Sequence, residues 1–261
     1  MRRIIIPMLY LIASIALFGC EQKTSKTADA SKSAATAAET KEAKIKEVKS
    51  IALEAYVYGY SLLTTEVTRV QMSNVPKQEG LKSPMGQFTN VPRYPPADYR
   101  GVSAPNADTL YSIAWVDLAE PVVFSHPDMG KRFYLFEMVD LWMTIVQTPG
   151  SRPNGGKAAN YLLTGPNWRG EVPKGMTQIA FPTRYAVILG RTYANGTPSD
   201  YKLVNQLQAK YSLIPLAAFG KKFKYEAPAV NPDPGFSMTD KPQDVILGMN
   251  TAAYFNRMAK I

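Results

Sequence analysis

Apolar side chains follow first a helical and then an alternating period along this chain, with a polar, proline-rich break between the two. Ile45, Val48, Ala52, Ala55, Gly59 and Leu62 recur at steps of three and four, while Lys46, Lys49, Glu54 and Glu66 fall largely outside that stripe. The spacing predicts an amphipathic helix over about 45–72. It should stop ahead of Asn74-Val75-Pro76, because a proline pushes the residue before it out of helical geometry. Residues 76–105 are rich in Pro, Gly and Asn and read as an extended ordered loop. Beyond them, runs of aromatic and β-branched residues occupy 109–118, 132–139, 143–146, 161–164, 178–181 and 185–193. Turn signals such as Pro127-Asp128-Met129-Gly130, Pro153-Asn154-Gly155-Gly156 and Asn195-Gly196 separate them. Short strands at this spacing predict antiparallel sheets in a sandwich or barrel, not alternating parallel units. Asp200 is placed to cap a helix carrying Tyr201, Val204, Leu207 and Tyr211. Asp240 starts another, with Pro242 in its first turn and Val245, Met249 and Ala252 on one side. The expected class is α+β, predominantly antiparallel β, with two peripheral C-terminal helices.

The N-terminus follows a different logic. Arg2 and Arg3 precede an apolar stretch from Ile4 to Phe18 that is short for a membrane span and right for an export signal, and Gly19 stands before Cys20. The arrangement resembles the signal of bacterial lipoproteins, which implies a signal peptide over 1–19 and lipidation of Cys20. Cys20 is the only cysteine, so an internal disulfide is impossible and lipidation accounts for it. The expected location is the cell envelope, facing the periplasm, with the outer membrane favoured. From residue 21 to about 44 the chain is Ala, Lys, Thr, Ser and Glu with no aromatic residue, so residues 20–44 read as a flexible tether. Residues 45–261 then form a single β-rich domain.

Composition narrows the chemistry. The formal net charge is +9, lowered by two when Arg2 and Arg3 leave with the signal. The basic residues are scattered, Lys221-Lys222-Phe223-Lys224 being the one tight group, so nucleic acid is not expected as a partner. A single histidine, His126, excludes any centre needing several histidines within the chain. It sits beside Pro127 in a turn-like stretch and reads as a surface loop residue. No cofactor or metal is expected. Gly150-Ser151-Arg152-Pro153-Asn154-Gly155-Gly156-Lys157 has the outline of a phosphate loop, but Gly156 stands where the lysine should follow the second glycine. A hairpin turn is the better reading.

What remains is Pro105-Asn106-Ala107-Asp108-Thr109-Leu110-Tyr111-Ser112, entering a strand. Asn and Asp two apart at such a junction can simply hold a tight turn. Alternatively Asn106, Asp108, Thr109 and Tyr111 present polar groups to one pocket, joined by Asp140, Trp142 and Arg191 from the ends of two other strands. These strings resemble the bacterial family called domain of unknown function 1254. The resemblance is carried by Ala55-Tyr56-Val57-Tyr58-Gly59-Tyr60, by 105–112 with Ala114-Trp115-Val116-Asp117-Leu118, and by Asp140-Leu141-Trp142. Gly165-Pro166-Asn167-Trp168-Arg169-Gly170, Gly190-Arg191-Thr192 and Leu213-Ile214-Pro215-Leu216 continue it in order. It implies a jelly-roll-like domain with a helical N-terminal edge and no agreed reaction. Relatives often continue into a second β domain, domain of unknown function 1214, which is not expected in this sequence.

Three functions follow as expectations. The favoured one is an envelope lipoprotein that binds a small polar or anionic ligand, or a partner, through Arg191, since arginine suits bidentate capture of carboxylate or phosphate. The second is a histidine-independent hydrolase, with Asp108 or Asp140 as base and Arg191 stabilising negative charge, or a calcium site built from Asn106, Asp108 and Asp140. The third is a structural envelope or assembly component, as an oligomer or beside a second domain.

Overall fold

The structure is a computed structural model that describes residues 25–100 and 106–261, with side chains from residue 39 onward. The signal, Cys20 and Pro105 lie outside the described residues. Helix α1 runs Ser25–Ser73, starting well ahead of the apolar stripe, so the stretch expected as a flexible tether is helical from Ser25 on. Ile45 and Val48 are exposed, and the stripe becomes buried only at Leu62 and Leu63.

Residues 55–261 form their own compact unit, built on two sheets. The five-stranded sheet has the order β1 (Thr89–Asn90), β2 (Thr109–Asp117), β8 (Tyr185–Tyr193), β4 (Tyr134–Asp140) and β5 (Ile145–Gln147). The four-stranded sheet has the order β7 (Thr177–Ala180), β6 (Ala159–Thr164), β3 (Val122–His126) and β9 (Ser212–Pro215). Every pair is antiparallel except β6 with β7. The sheets face each other across a core of Ala114, Val116, Phe124, Phe136, Met138, Tyr161, Leu163, Ile188 and Leu213. They form an open sandwich and no closed barrel. Five and four strands with one parallel pair depart from the eight antiparallel strands of a jelly roll, so the expectation is met at the level of an antiparallel-dominated sandwich.

Alternation within the central strands sends Ala114 and Val116, or Ala186 and Ile188, into that core. It sends Trp115 and Val187 to the opposite, outer face of the five-stranded sheet. The outer face is not left to water. Leu62 of α1 packs there against Trp115, Val139, Leu141 and Val187, which explains why β8 reads as a continuous apolar run. The other side of α1 buries Leu63 and Val67 against Ile246 and Tyr254, from α4 (Pro242–Leu247) and α5 (Thr251–Met258). Gly59 lets α5 come close: a Cβ there would lie 2.3 Å from the Met258 sulfur.

Several expectations need correction. The Gly150 segment holds a short helix, α2 (Ser151–Asn154), and links β5 of one sheet to β6 of the other, so it is a crossover and not a hairpin turn. α3 (Pro198–Gln208) is capped by Thr197, whose side chain accepts from the Asp200 amide; Asp200 instead forms an ion pair with Arg132 at 2.7 Å. His126 is in β3 and 3% exposed, ringed by Tyr134, Phe136 and Tyr161. The expected single C-terminal helix is broken at Gly248 to Asn250 into α4 and α5.

Candidate functional site

The polar residues singled out in the sequence fall into two groups at opposite ends of the five-stranded sheet. At one end, Tyr111 on β2 lies directly across from Arg191 on β8, with the guanidinium carbon 5.7 Å from the phenol ring centre. The Asn106 amide N–H donates to the Tyr111 hydroxyl at 3.3 Å, and its side chain donates to Thr109 Oγ1 at 3.2 Å. Arg191 meets Glu137 of β4 at 2.7 Å. Burial works against the Arg191 charge, but Glu137 and Tyr111 outweigh it and hold its pKa above the ordinary value. Glu137 escaped the sequence reading, although a lone carboxylate in the run Tyr134-Leu135-Phe136-Glu137-Met138-Val139 was a signal for it.

Asp108 is exposed; its carbonyl accepts the Ala194 amide at 2.9 Å, closing the strand junction. Asp140 is buried at the far end of β4, opposite Ala186, which is five positions along β8 from Arg191. At about 3.3 Å of rise per residue the two are roughly 17 Å apart along the strand. One hydrogen-bonded constellation of Asp108, Asp140 and Arg191 is therefore not formed.

Asp140 has a different task. Its Oδ1 accepts the amides of Trp142 at 2.8 Å and Thr144 at 2.9 Å, which shapes the tight connection between β4 and β5. Within that loop Met143 takes φ 62°, a left-handed conformation that is unfavourable for a residue with a side chain. The Trp142 carbonyl accepts from Ser61 of α1 at 3.0 Å, and its ring packs on Tyr58 at 4.7 Å.

Between the two polar ends, α1 and the outer face of the sheet flank a half-open cavity of about 500 Å³. Ile113, Trp115, Val187 and Leu189 line it from the sheet, Thr64, Thr68 and Met72 from α1, and Met143 from the loop. The Trp115 indole nitrogen is buried and has no hydrogen-bond partner; the same is true of Arg191 Nε, two positions beyond Leu189 on the same face. Buried donors are nearly always satisfied in folded proteins, so an unpaired one is a feature to explain. Neither Trp115 nor the cavity was singled out from sequence, since an indole in an apolar strand reads as core. No group of His, Cys, Asp and Glu arranged to hold a metal occurs among the described residues.

Comparison with known proteins places this geometry. The family described as "Protein of unknown function (DUF1254)" matches residues 85–215, the span from just before β1 to the end of β9. The crystal structure of the VPA0106 protein from Vibrio parahaemolyticus is similar in fold, with a TM-score of 0.54 and 22% identity over 81% of this chain. The match covers 50% of that protein, so this chain spans about half its length. An uncharacterised protein from Burkholderia cenocepacia matches over 49% of this chain and 36% of its own at 16% identity, with a TM-score of 0.31 that carries no weight. No curated protein matches.

Proposed function

The chain belongs to the DUF1254 family, and from that premise we propose that it is a lipid-anchored envelope protein whose β domain binds a small, mainly apolar molecule between α1 and the five-stranded sheet. The observation that carries this reading is the cavity of about 500 Å³, within the range typical of small-molecule sites and walled by apolar sheet residues. Met143 adds support, because its strained backbone holds the residue at the cavity wall although glycine would suit the loop better.

This reading shifts the ligand away from the anion expected from Arg191. Glu137 already neutralises that guanidinium at 2.7 Å, so an incoming carboxylate or phosphate would meet a second negative charge beside its intended partner. The hydrolase and calcium readings lose their premise for want of convergence among Asp108, Asp140 and Arg191. The lipid anchor at Cys20 comes from the N-terminal sequence alone.

The test is a titration with N-phenyl-1-naphthylamine, a neutral fluorescent apolar probe. One probe per chain should bind the wild-type protein, and Thr68→Trp, which fills the cavity from the helix side, should weaken binding at least tenfold while leaving the fold intact. Absence of saturable binding, or binding indifferent to Thr68→Trp, would overturn the assignment.

A further inference from the structure

We propose a second site, independent of the apolar cavity, that takes a small zwitterion of the amino-acid or short-peptide kind. It is a half-open cavity of about 720 Å³ where α1, the loop before α4 and the two C-terminal helices meet, a volume within the range of small-molecule sites. Six charged side chains line it: Glu66 and Arg69 from α1, Asp240 from the loop, Asp244 from α4, Arg257 in the last turn of α5 and Lys260 just beyond it. Glu66 and Arg69 neutralise each other. Hydrogen bonds of 2.7 and 2.6 Å join them, and the Arg69 guanidinium lies 3.9 Å above the Tyr185 ring.

Arg257 is held in place without an acid. It donates to the Pro234 carbonyl at 2.7 Å, lies 4.5 Å over the Phe236 ring and passes Gly235, where a Cβ would stand 3.1 Å from its Nη2. Its fork is thus fixed before any ligand arrives. The loop carrying Asp240 is fixed as well: Gln71 of α1 donates to the carbonyls of Ser237 and Asp240, both at 2.8 Å, and Ser237 Oγ accepts the Asp240 amide at 3.1 Å. Among the described residues, no ion pair engages Asp240, Asp244, Arg257 or Lys260. Two unpaired anions and two unpaired cations therefore share one cavity. A simple anion would gain Arg257 and Lys260 but meet Asp240 and Asp244, and a simple cation would meet the reverse. A ligand with both charges gains both, its carboxylate on the Arg257 fork and its ammonium at the aspartates.

The probes are trialanine, N-acetyl-trialanine and trialanine amide, which put a zwitterion, an anion and a cation on one backbone. In calorimetric titrations of the wild-type protein, trialanine should bind and each blocked form should bind about tenfold more weakly, the loss expected for one charge-assisted contact. Arg257→Gln should weaken trialanine about tenfold and change trialanine amide by no more than about twofold. The double variant Asp240→Asn, Asp244→Asn should weaken trialanine likewise and leave N-acetyl-trialanine as tight or tighter. Lys260→Gln, at an exposed position, gives the carboxylate test again should Arg257→Gln fail to fold. Equal affinity for the three peptides, or trialanine binding unmoved by these variants, overturns the zwitterion. Absence of saturable trialanine binding to the wild-type protein overturns the site itself, and none of these results bears on the apolar cavity.

Discussion

His126 illustrates how a single side chain links sequence, packing and pH. Its Nδ1 lies 2.9 Å from the Pro127 carbonyl, which can only accept, so that nitrogen carries the proton. Burial among aromatic rings pushes its pKa below the usual 6.5, although the Pro127 bond opposes this in part. The folded state therefore binds the extra proton less readily than the unfolded chain. Its contribution to stability is complete above about pH 6.5 and declines as the pH falls from there toward the depressed folded value. The melting temperature should drop between pH 7 and pH 5, and His126→Phe should flatten that slope; an unchanged slope would remove His126 as its source. Asp200, held below the ordinary carboxylate range by Arg132, acts in a separate window below pH 3.8. The polar motif was only partly legible at this scale. Tyr111 and Arg191 do meet, because cross-strand neighbours follow from register, but Glu137 completes the pair from a third strand whose alignment no local pattern reveals.

At the scale of elements, the loop joining β4 to β5 is the most informative. Asp140 satisfies two backbone amides from one buried oxygen, so Asp140→Ala should destabilise the fold by about 2–3 kcal/mol, measured by denaturant unfolding. Met143→Gly relieves a left-handed residue and should leave stability unchanged or slightly raised, yet weaken N-phenyl-1-naphthylamine by removing one wall of the cavity. If Met143→Gly leaves affinity intact, the methionine has no part in binding. Gly156 sets a stricter limit: a Cβ would lie 1.8 Å from the Gly130 carbonyl oxygen, so Gly156→Ala must move backbone and should lower the melting temperature markedly. Six strands were legible from their aromatic and β-branched runs. β1, β3 and β9 were not: β1 is two residues within the stretch read as a loop, and Pro121, Pro127 and Pro215 flank or end β3 and β9 and read as turns. The break at Gly248 was missed since Val245, Met249 and Ala252 keep a helical spacing across it.

For the whole molecule, the antiparallel-dominated sandwich was readable because most strands carry their own period and turn signals, whereas the way α1 covers one sheet was not. Nothing local says which sheet face an amphipathic helix will choose, and that choice creates the cavity. The proposed membrane attachment stands on Cys20 alone, and its test is fractionation: the wild-type protein should sediment with membranes and Cys20→Ala should not, while Cys20→Ala remaining in the membrane fraction would rule out the lipid anchor. The ligand's position between α1 and the five-stranded sheet is open to direct measurement. With methyl-labelled protein and unlabelled N-phenyl-1-naphthylamine, intermolecular nuclear Overhauser effects should connect the bound rings to Ile113, Val187 and Leu189. Contacts confined to any other surface, with none to these three residues, would contradict it.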